Sequence, residues 1–189
     1  MKKLKVSLII VVLIITSLVA LTGCTKNDNN TGNNSNNSKS EGIDLKLDFQ
    51  HVNQKVYNAR INLTENDKRT ELEEEPKFAR IENEKNNYVL DITLDSEAKE
   101  AYGEFQASAK ECEEYKEVNF GKYKGYYAKD GEDIFGYILL DESDDTFNIF
   151  INFVVYAYDD SSENSNVEGI YNSSNIQNIL NNIEFKVSK

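Results

Sequence analysis

Ser96 and Lys99 have the spacing of a serine nucleophile and a lysine base, because they are the first and last residues of an S-x-x-K pattern. Enzymes that use this pair also carry S-D-N and K-T-G motifs. Neither motif occurs in the chain, and the nearest match is Ser143-Asp144-Asp145. A serine just before an apolar repeat of helical period is also typical of a helix N-cap. We therefore predict that Ser96 caps a helix and is not a nucleophile.

His51 and Cys112 could form a nucleophile pair only if the fold brought them together, since His51 is the only histidine. His51 stands beside polar Gln50 and Asn53, which favours an exposed position at a strand end. Cys112 falls on the apolar stripe of a predicted helix, which favours a buried small hydrophobe. We assign no catalytic residue.

Three acidic clusters, at residues 71–75, 141–145 and 159–163, offer the hard oxygen ligands that Ca²⁺ prefers. None of them has the D-x-[DN]-x-[DN]-G spacing of a calcium loop. We predict solvated turns with at most weak Ca²⁺ binding, and we assign no metal ligand and no cofactor. Two clusters meeting in one cleft would supply the paired carboxylates of a small extracytoplasmic hydrolase, which is the alternative function.

Tyrosines crowd the second half of the chain, and five of them form a candidate binding face: Tyr123, Tyr126, Tyr127, Tyr137 and Tyr158. An exposed tyrosine offers a partner a large rigid ring and a hydroxyl group. The other use of such residues is to fill the space between a sheet and its helices. The sequence leaves both uses open.

The N-terminus has the layout of a signal peptide. Met1–Lys5 is basic, residues 6–21 are almost entirely apolar, and Leu21-Thr22-Gly23-Cys24 follows at once. These four residues resemble the bacterial lipobox, which has an aliphatic residue, a small residue, glycine and the modified cysteine in that order. The apolar run is shorter than the roughly 20 residues that cross a bilayer core, so an uncleaved transmembrane helix is the weaker alternative.

The lipobox resemblance implies that residues 1–23 are removed and that the Cys24 thiol carries a diacylglyceryl group. Leu21, Thr22 and Gly23 would be the peptidase recognition residues. Each buried methylene contributes about 0.8 kcal/mol, and two acyl chains give the stable anchoring that one chain does not. The membrane is therefore a predicted partner, through the lipid on Cys24.

Residues 24–42 are rich in Asn and Ser and contain no aliphatic or aromatic side chain after Cys24. Such a composition predicts a disordered tether between the lipid and a folded body. The formal net charge of the chain is −12, which excludes the phosphate backbone of a nucleic acid as a natural partner. Asn-rich, Lys-rich and proline-poor usage indicates a Gram-positive cell membrane, with the body facing outward.

Residues 43–189 have the alternating and helical patterns of one globular domain. Alternation predicts strands at residues 43–49, 57–63, 77–83, 88–94, 118–128, 134–141 and 147–158, with a hairpin around Gly131 and a last short strand at residues 184–187. The most apolar strand, 147–158, is expected to be central, with its later half covered on both sides.

Two helices are predicted, one from Ser96 to about Lys116 and one from about Val167 to Asn182. In the first, Tyr102, Phe105, Ala109, Cys112 and Tyr115 recur at spacings of three and four. The order of elements predicts an α+β fold in which a mostly antiparallel β-sheet is packed by two helices.

The second half of the domain resembles the Mog1/PsbP-like domains. The resemblance lies in the order of the elements and in short motifs, which are Asp95-Ser96 before the helix, Phe120-Gly121, Gly125-Tyr126-Tyr127, the Gly131 hairpin, the strand at 136–140, the strand at 147–153 and the closing run at 179–185. It implies an α/β/α sandwich used as a binding or accessory module, with no catalytic set to carry over.

Together these features predict a membrane-anchored extracytoplasmic lipoprotein that is not an enzyme. Its body would bind an envelope protein or a wall component. The hydrolase remains the alternative from the enzyme class. A solute-binding subunit is a third possibility, but the body is short for two lobes around a ligand.

Overall fold

The computed structural model describes residues 42–70, 76–141, 144–159, 161 and 166–189. They form ten strands and four helices, with a 3₁₀ turn at Glu84–Asn86 between the fourth and fifth strands. The bounds are β1 Gly42–Phe49, α1 Gln50–Asn53, β2 Lys55–Asn62, β3 Lys68–Thr70, β4 Phe78–Asn83, β5 Tyr88–Ala98, α2 Lys99–Ala109, β6 Glu114–Phe120, β7 Tyr123–Asp130, β8 Asp133–Asp141, β9 Phe147–Ala157, α3 Val167–Tyr171, α4 Ser174–Asn181 and β10 Glu184–Ser188.

The strands form two sheets. A three-stranded sheet has the order β1-β2-β10, and a seven-stranded sheet has the order β3-β4-β5-β9-β8-β7-β6. All the strand pairs of the described residues are antiparallel. The prediction of an α+β fold built on mostly antiparallel sheet is therefore confirmed.

The seven-stranded sheet has two faces that differ in what covers them. We call the first the core face, because its buried side chains join those of the three-stranded sheet and of α3 and α4 in the larger apolar cluster. Leu90, Ile92, Ile151, Phe153 and Val155 belong to it, and each is fully buried. Burial of one such side chain contributes about 1.5–3 kcal/mol, so this cluster holds the two sheets together.

The opposite side of the seven-stranded sheet is the outer face. Helix α2 covers one part of it, where Tyr126, Ala128, Tyr137 and Phe150 are buried. Away from α2, outer-face residues of β9 such as Val154 are only half-buried. Strand β9 is central, as predicted, between β5 and β8. It is its earlier half, around Phe150, that is buried on both faces, and the expectation for its later half was wrong.

The first predicted helix is shorter at both ends than the pattern indicated. Strand β5 continues to Ala98 because its last residues pair with the start of β9, where Ser96 lies opposite Ile149. Ser96 is therefore a strand residue, and the prediction that it caps a helix was wrong; no side chain caps α2 at Ala98. Beyond the helix, Tyr115 belongs to β6.

The strand predicted at 118–128 is a hairpin of two strands, β6 and β7. The chain turns at Gly121 and Lys122, where Gly121 has a φ of +58°. Glycine adopts this left-handed conformation without the steric cost that a Cβ brings. The hairpin at Gly131, in contrast, was predicted, and there a two-residue turn joins Asp130 to Asp133.

The second predicted helix is two helices, because the chain breaks between Tyr171 and Ser174. The Ser173 hydroxyl accepts a hydrogen bond from the backbone N–H of Ile176 and so caps α4. The short helix α1 and strand β3 were not predicted. In the part of the chain that the structure describes, every helix is too short or too polar to cross a membrane.

Candidate functional sites

A cleft of about 280 Å³ opens between the edge strand β6, the neighbouring strand β7 and helices α3 and α4. Its walls carry tyrosine rings, carboxamides, apolar side chains and one amine, contributed by Lys116, Val118, Asn119, Phe120, Tyr127, Tyr171, Asn172 and Gln177. We call it the β6 cleft. Period-two alternation places Lys116, Val118 and Phe120 on the same side of β6, which faces the helices.

Tyr127 and Tyr171 form the aromatic wall of the β6 cleft. Their ring centroids are 4.6 Å apart, with the planes inclined at 44°. Burial raises the pKa of Tyr171 to about 12, so its hydroxyl is neutral and able to donate a hydrogen bond. The backbone oxygen of Tyr171 accepts a 2.9 Å hydrogen bond from the Gln177 side chain, which orients that amide at the cleft.

One charged pair lies at the rim of the β6 cleft. Lys116 forms an ion pair with Glu114, and the Tyr127 hydroxyl donates to the same Glu114 oxygen over 3.0 Å. Glu114 raises the pKa of Lys116, and Lys116 in turn lowers the pKa of Glu114, so both groups are charged at neutral pH. The Lys116 ammonium also lies 5.7 Å from the Tyr127 ring centroid.

The turn at Gly121 fixes α4 against β6. Its backbone N–H donates a 2.8 Å hydrogen bond to the side chain of Asn181, at the end of α4. A Cβ on Gly121 would lie 2.3 Å from the Asn181 carbonyl oxygen, closer than any real Cβ contact. The close approach at this end of the helix holds the far wall of the β6 cleft in place.

A second cluster lies on the outer face beneath α2 and consists mostly of aromatic rings. Tyr102 of α2 packs at 5.6–6.4 Å, between ring centroids, from the rings of Tyr126, Tyr137 and Phe150. Phe105 stacks on Tyr137 at 5.8 Å. The Tyr126 hydroxyl is buried and has no hydrogen-bond partner among the described residues, which is a cost that a protein interior seldom carries.

Next to this cluster, two carboxylates and an amide share the outer face. Asp95 and Glu97 are two residues apart on β5, and Glu97 lies directly opposite Asn148 of β9. Burial and the neighbouring Asp95 raise the pKa of Glu97. Burial raises the pKa of Tyr137 to about 12, and the charges of Glu97 and Asp95 contribute to the rise.

A cavity of about 560 Å³ opens beside the turn before β3, with Asp67 and Glu84 among its lining residues. Asp67 is committed to the fold, because its oxygens accept hydrogen bonds from Tyr88, Asn83 and both the backbone and the side chain of Thr64. The network ties this turn to the β4–β5 hairpin. These hydrogen bonds account for the position of Asp67, so we assign no ligand to this cavity.

The structure does not bring the five predicted tyrosines together on one face. Tyr126 and Tyr137 are buried on the outer face beneath α2, whereas Tyr127 lies on the core side at the β6 cleft. Tyr123 is partly buried against the larger cluster, and Tyr158 is 45% exposed after the end of β9. Only Tyr127 lines the β6 cleft.

The other sequence candidates are dispersed. The cluster at 71–75 and the lipobox residues Leu21, Thr22, Gly23 and Cys24 lie outside the described residues. The described parts of the other two clusters form local turns, in which Asp144 accepts from Thr146 and Asp159 accepts from Ser161. No group of three or more His, Cys, Asp or Glu side chains is placed to hold a metal ion within the described ranges.

His51 is exposed, as predicted, but it lies in the short helix α1 and not at the end of a strand. Cys112 follows α2 rather than lying on it, and it is half-buried against the aromatic cluster. Burial, with the charges of Asp130, Glu111 and Glu113, raises the pKa of its thiol, so the thiolate that would react is disfavoured.

Sequence reasoning missed most of the β6 cleft and the Asp95, Glu97 and Asn148 group. Both are made by residues far apart in the chain, and no local spacing signals their meeting. Comparison of the chain with protein-family models, with curated proteins and with solved structures found no match.

Proposed function

We propose that the protein is a lipid-anchored, outward-facing and non-catalytic binding module of a Gram-positive cell envelope. The anchor rests on the sequence, in which Leu21-Thr22-Gly23-Cys24 ends an apolar run. A lipid on Cys24 and a polar tether would hold the domain near the membrane surface. The net charge of −12 supports a protein or wall partner over a nucleic acid.

The β6 cleft is the observation that carries the binding role. It combines two tyrosine rings with three carboxamides and a lysine, which is a set that recognises polar ligands. Flat apolar surfaces of a sugar or a peptide can lie on the rings while the amides accept and donate hydrogen bonds. We therefore expect the occupant to be a segment of an envelope protein or of a wall polymer.

We also propose that the domain has a fold similar to that of the Mog1/PsbP-like domains. Support comes from the layers of the domain, because α2 covers one face of the seven-stranded sheet and α3 and α4 pack on the other. The three-stranded sheet is an addition to that plan, and it shares the layer of α3 and α4. Such domains serve as binding or accessory modules, in agreement with a recognition cleft.

The test is capture of the partner through the β6 cleft. The full chain, held on beads in a non-ionic detergent, is incubated with the envelope fraction of the producing cell, and retained material is identified by mass spectrometry. We expect one protein or wall component in near one-to-one amount. Asn172→Arg should reduce its recovery at least tenfold, because Asn172 is exposed at the cleft and arginine would fill the opening.

The matched control is Asn178→Arg, which places the same side chain at an exposed position of α4 outside the cleft lining. Recovery with this variant should equal that of the unmodified protein. Equal recovery from both variants would show that the cleft is not the binding surface. Retention of nothing above background would contradict the binding role and would direct attention to the hydrolase alternative.

A further inference from the structure

Asp95, Glu97 and Asn148 form a group on the outer face, near the start of α2, that brings two negative charges close to a buried amide. Asp95 and Glu97 point to the same side of β5, since side chains two residues apart in a strand share a face. Asn148 shares that face directly opposite Glu97, where side chains of antiparallel strands lie about 4.5–5.5 Å apart at Cβ. Two carboxylates and an amide therefore share one part of the outer face.

The amide of this group is buried, whereas the two carboxylates are partly exposed. Asn148 is 7% exposed, and its side-chain oxygen has no hydrogen-bond partner among the described residues. One oxygen of Asp95 accepts a hydrogen bond from the backbone N–H of Ser96, and the other lies 3.8 Å from the Lys77 ammonium. That ion pair is loose and partly exposed, so it compensates little of the repulsion between Asp95 and Glu97.

A buried amide oxygen without a donor beside two carboxylates is the arrangement that a bound cation would satisfy. We propose that Asp95, Glu97 and the Asn148 side-chain oxygen form a divalent cation site of the calcium type. The ligand set is oxygen only, which suits a hard cation and not zinc or copper. This site is separate from the acidic clusters at 71–75, 141–145 and 159–163.

Lys77 is the natural competitor for the cation. Its ammonium lies beside Asp95, where the cation would bind. The Lys77 side chain is 39% exposed and can move into solvent. With two carboxylates and one amide from the protein, water molecules must complete the six to eight ligands of Ca²⁺. Few charged ligands give weak affinity, so we expect a dissociation constant of about 10⁻⁴–10⁻³ M, as in extracellular calcium modules.

The experiment measures Ca²⁺ binding to the full chain, purified in non-ionic detergent and stripped with EDTA, by isothermal titration and by the shift of the unfolding temperature. Glu97→Gln removes one charge at constant shape and should weaken binding at least tenfold. Asn148→Leu removes the unpartnered oxygen and should abolish the calcium-dependent shift while leaving the EDTA-treated protein as stable as before or more so.

The matched control is Glu184→Gln, the same charge change at an exposed position of β10, which should leave Ca²⁺ affinity unchanged. Lys77→Met should raise the affinity several-fold, an effect that general surface binding does not produce. The proposal is overturned if Ca²⁺ does not bind at about 10 mM. It is also overturned if Glu97→Gln and Asn148→Leu bind as the unmodified chain does, or if Glu184→Gln loses as much affinity as they do.

Discussion

The two faces of the seven-stranded sheet differ in the types of side chain that they bury. The core face is mostly aliphatic and meets a second sheet and two helices, whereas the covered part of the outer face is mostly aromatic and meets one helix. Both buried side-chain atoms that have no partner among the described residues, the Tyr126 hydroxyl and the Asn148 oxygen, lie on the outer face.

The difference separates stability from the proposed cation site, whereas the β6 cleft opens at the edge of the core side. Branched aliphatic side chains interlock without polar atoms and leave nothing to satisfy, so the core face determines whether the protein folds. The aromatic and polar side chains near α2 leave two buried polar atoms without a partner among the described residues, so the outer face can take a cation without disturbing the core. Two pairs of substitutions test this division, beginning with the largest effect, and a third comparison tests the charge of Glu97 on the outer face.

Truncation on the core face should be the most damaging change. Ile151→Ala, at a fully buried position in the central strand, should lower the free energy of unfolding by about 4 kcal/mol, because it removes buried methyl groups and leaves a cavity. Its neighbour Asn152 points to the outer face and is half-buried. Asn152→Ala should cost less than about 1 kcal/mol.

Both values come from urea denaturation of the full chain in detergent, followed by circular dichroism. Equal losses for Ile151→Ala and Asn152→Ala would mean that the outer face contributes as much to stability as the core face does. The inference that the core face determines stability would then be wrong.

Two buried tyrosines, one on each face, give a second comparison. The Tyr88 hydroxyl, at the core side, donates to the Asp67 carboxylate, whereas the Tyr126 hydroxyl has no partner among the described residues. Tyr88→Phe should cost about 2 kcal/mol, since it removes a hydrogen bond to a charged group. Tyr126→Phe should be neutral or should stabilise the protein by up to about 1 kcal/mol, because it removes a polar group that is buried at a cost.

The same denaturation measurement checks both variants, and each substitution removes a single oxygen atom, so the pair is matched in size. A loss of 2 kcal/mol in Tyr126→Phe would show that its hydroxyl is satisfied in solution by water or by another group. The outer face beneath α2 would then be an ordinary core with one hydrogen-bonded polar group, and not a region whose buried polar atoms lack partners.

The sequence predicted the elements whose pattern is local. Alternation identified β1, β4 and β9, and the glycine at 131 identified one hairpin, because each signal lies within a few residues. It missed the turn at Gly121, where Val118 to Ala128 is continuously compatible with a strand. It also misplaced the start of α2, because Ser96 pairs with Ile149, on a strand that lies more distant in the chain than any local pattern reaches.

The candidate sites depend on register, which sequence patterns do not give. Nothing near Glu97 in the chain indicates that Asn148 lies opposite to it, and nothing near Tyr127 indicates that Tyr171 forms the other half of an aromatic wall. The crowding of tyrosines did predict a region rich in rings. Alternation then divided those rings between the two faces.

The smallest expected effect concerns the charge of Glu97. Burial and the nearby Asp95 raise the pKa of this carboxyl in the folded protein above its ordinary value of 4.5. A raised pKa means that the folded state binds the proton more tightly, so the stability contributed by the protonated form is present below pH 4.5 and is lost as the pH rises through the folded-state pKa. In EDTA, Glu97→Gln should therefore be more stable than the unmodified chain at pH 7.

The gain should be less than about 1 kcal/mol, because the carboxyl is partly exposed, and it should shrink at pH 4, where protonation of the unmodified carboxyl is favoured. Urea denaturation at the two pH values measures it, with Glu184→Gln as the control that should show no such dependence. A gain of equal size at both pH values would attribute the effect to packing and not to charge. A gain that is confined to pH 7 and reversed by Ca²⁺ would link the stability of the outer face to cation binding. The charge repulsion that destabilises this face without a cation would then also be what attracts the cation.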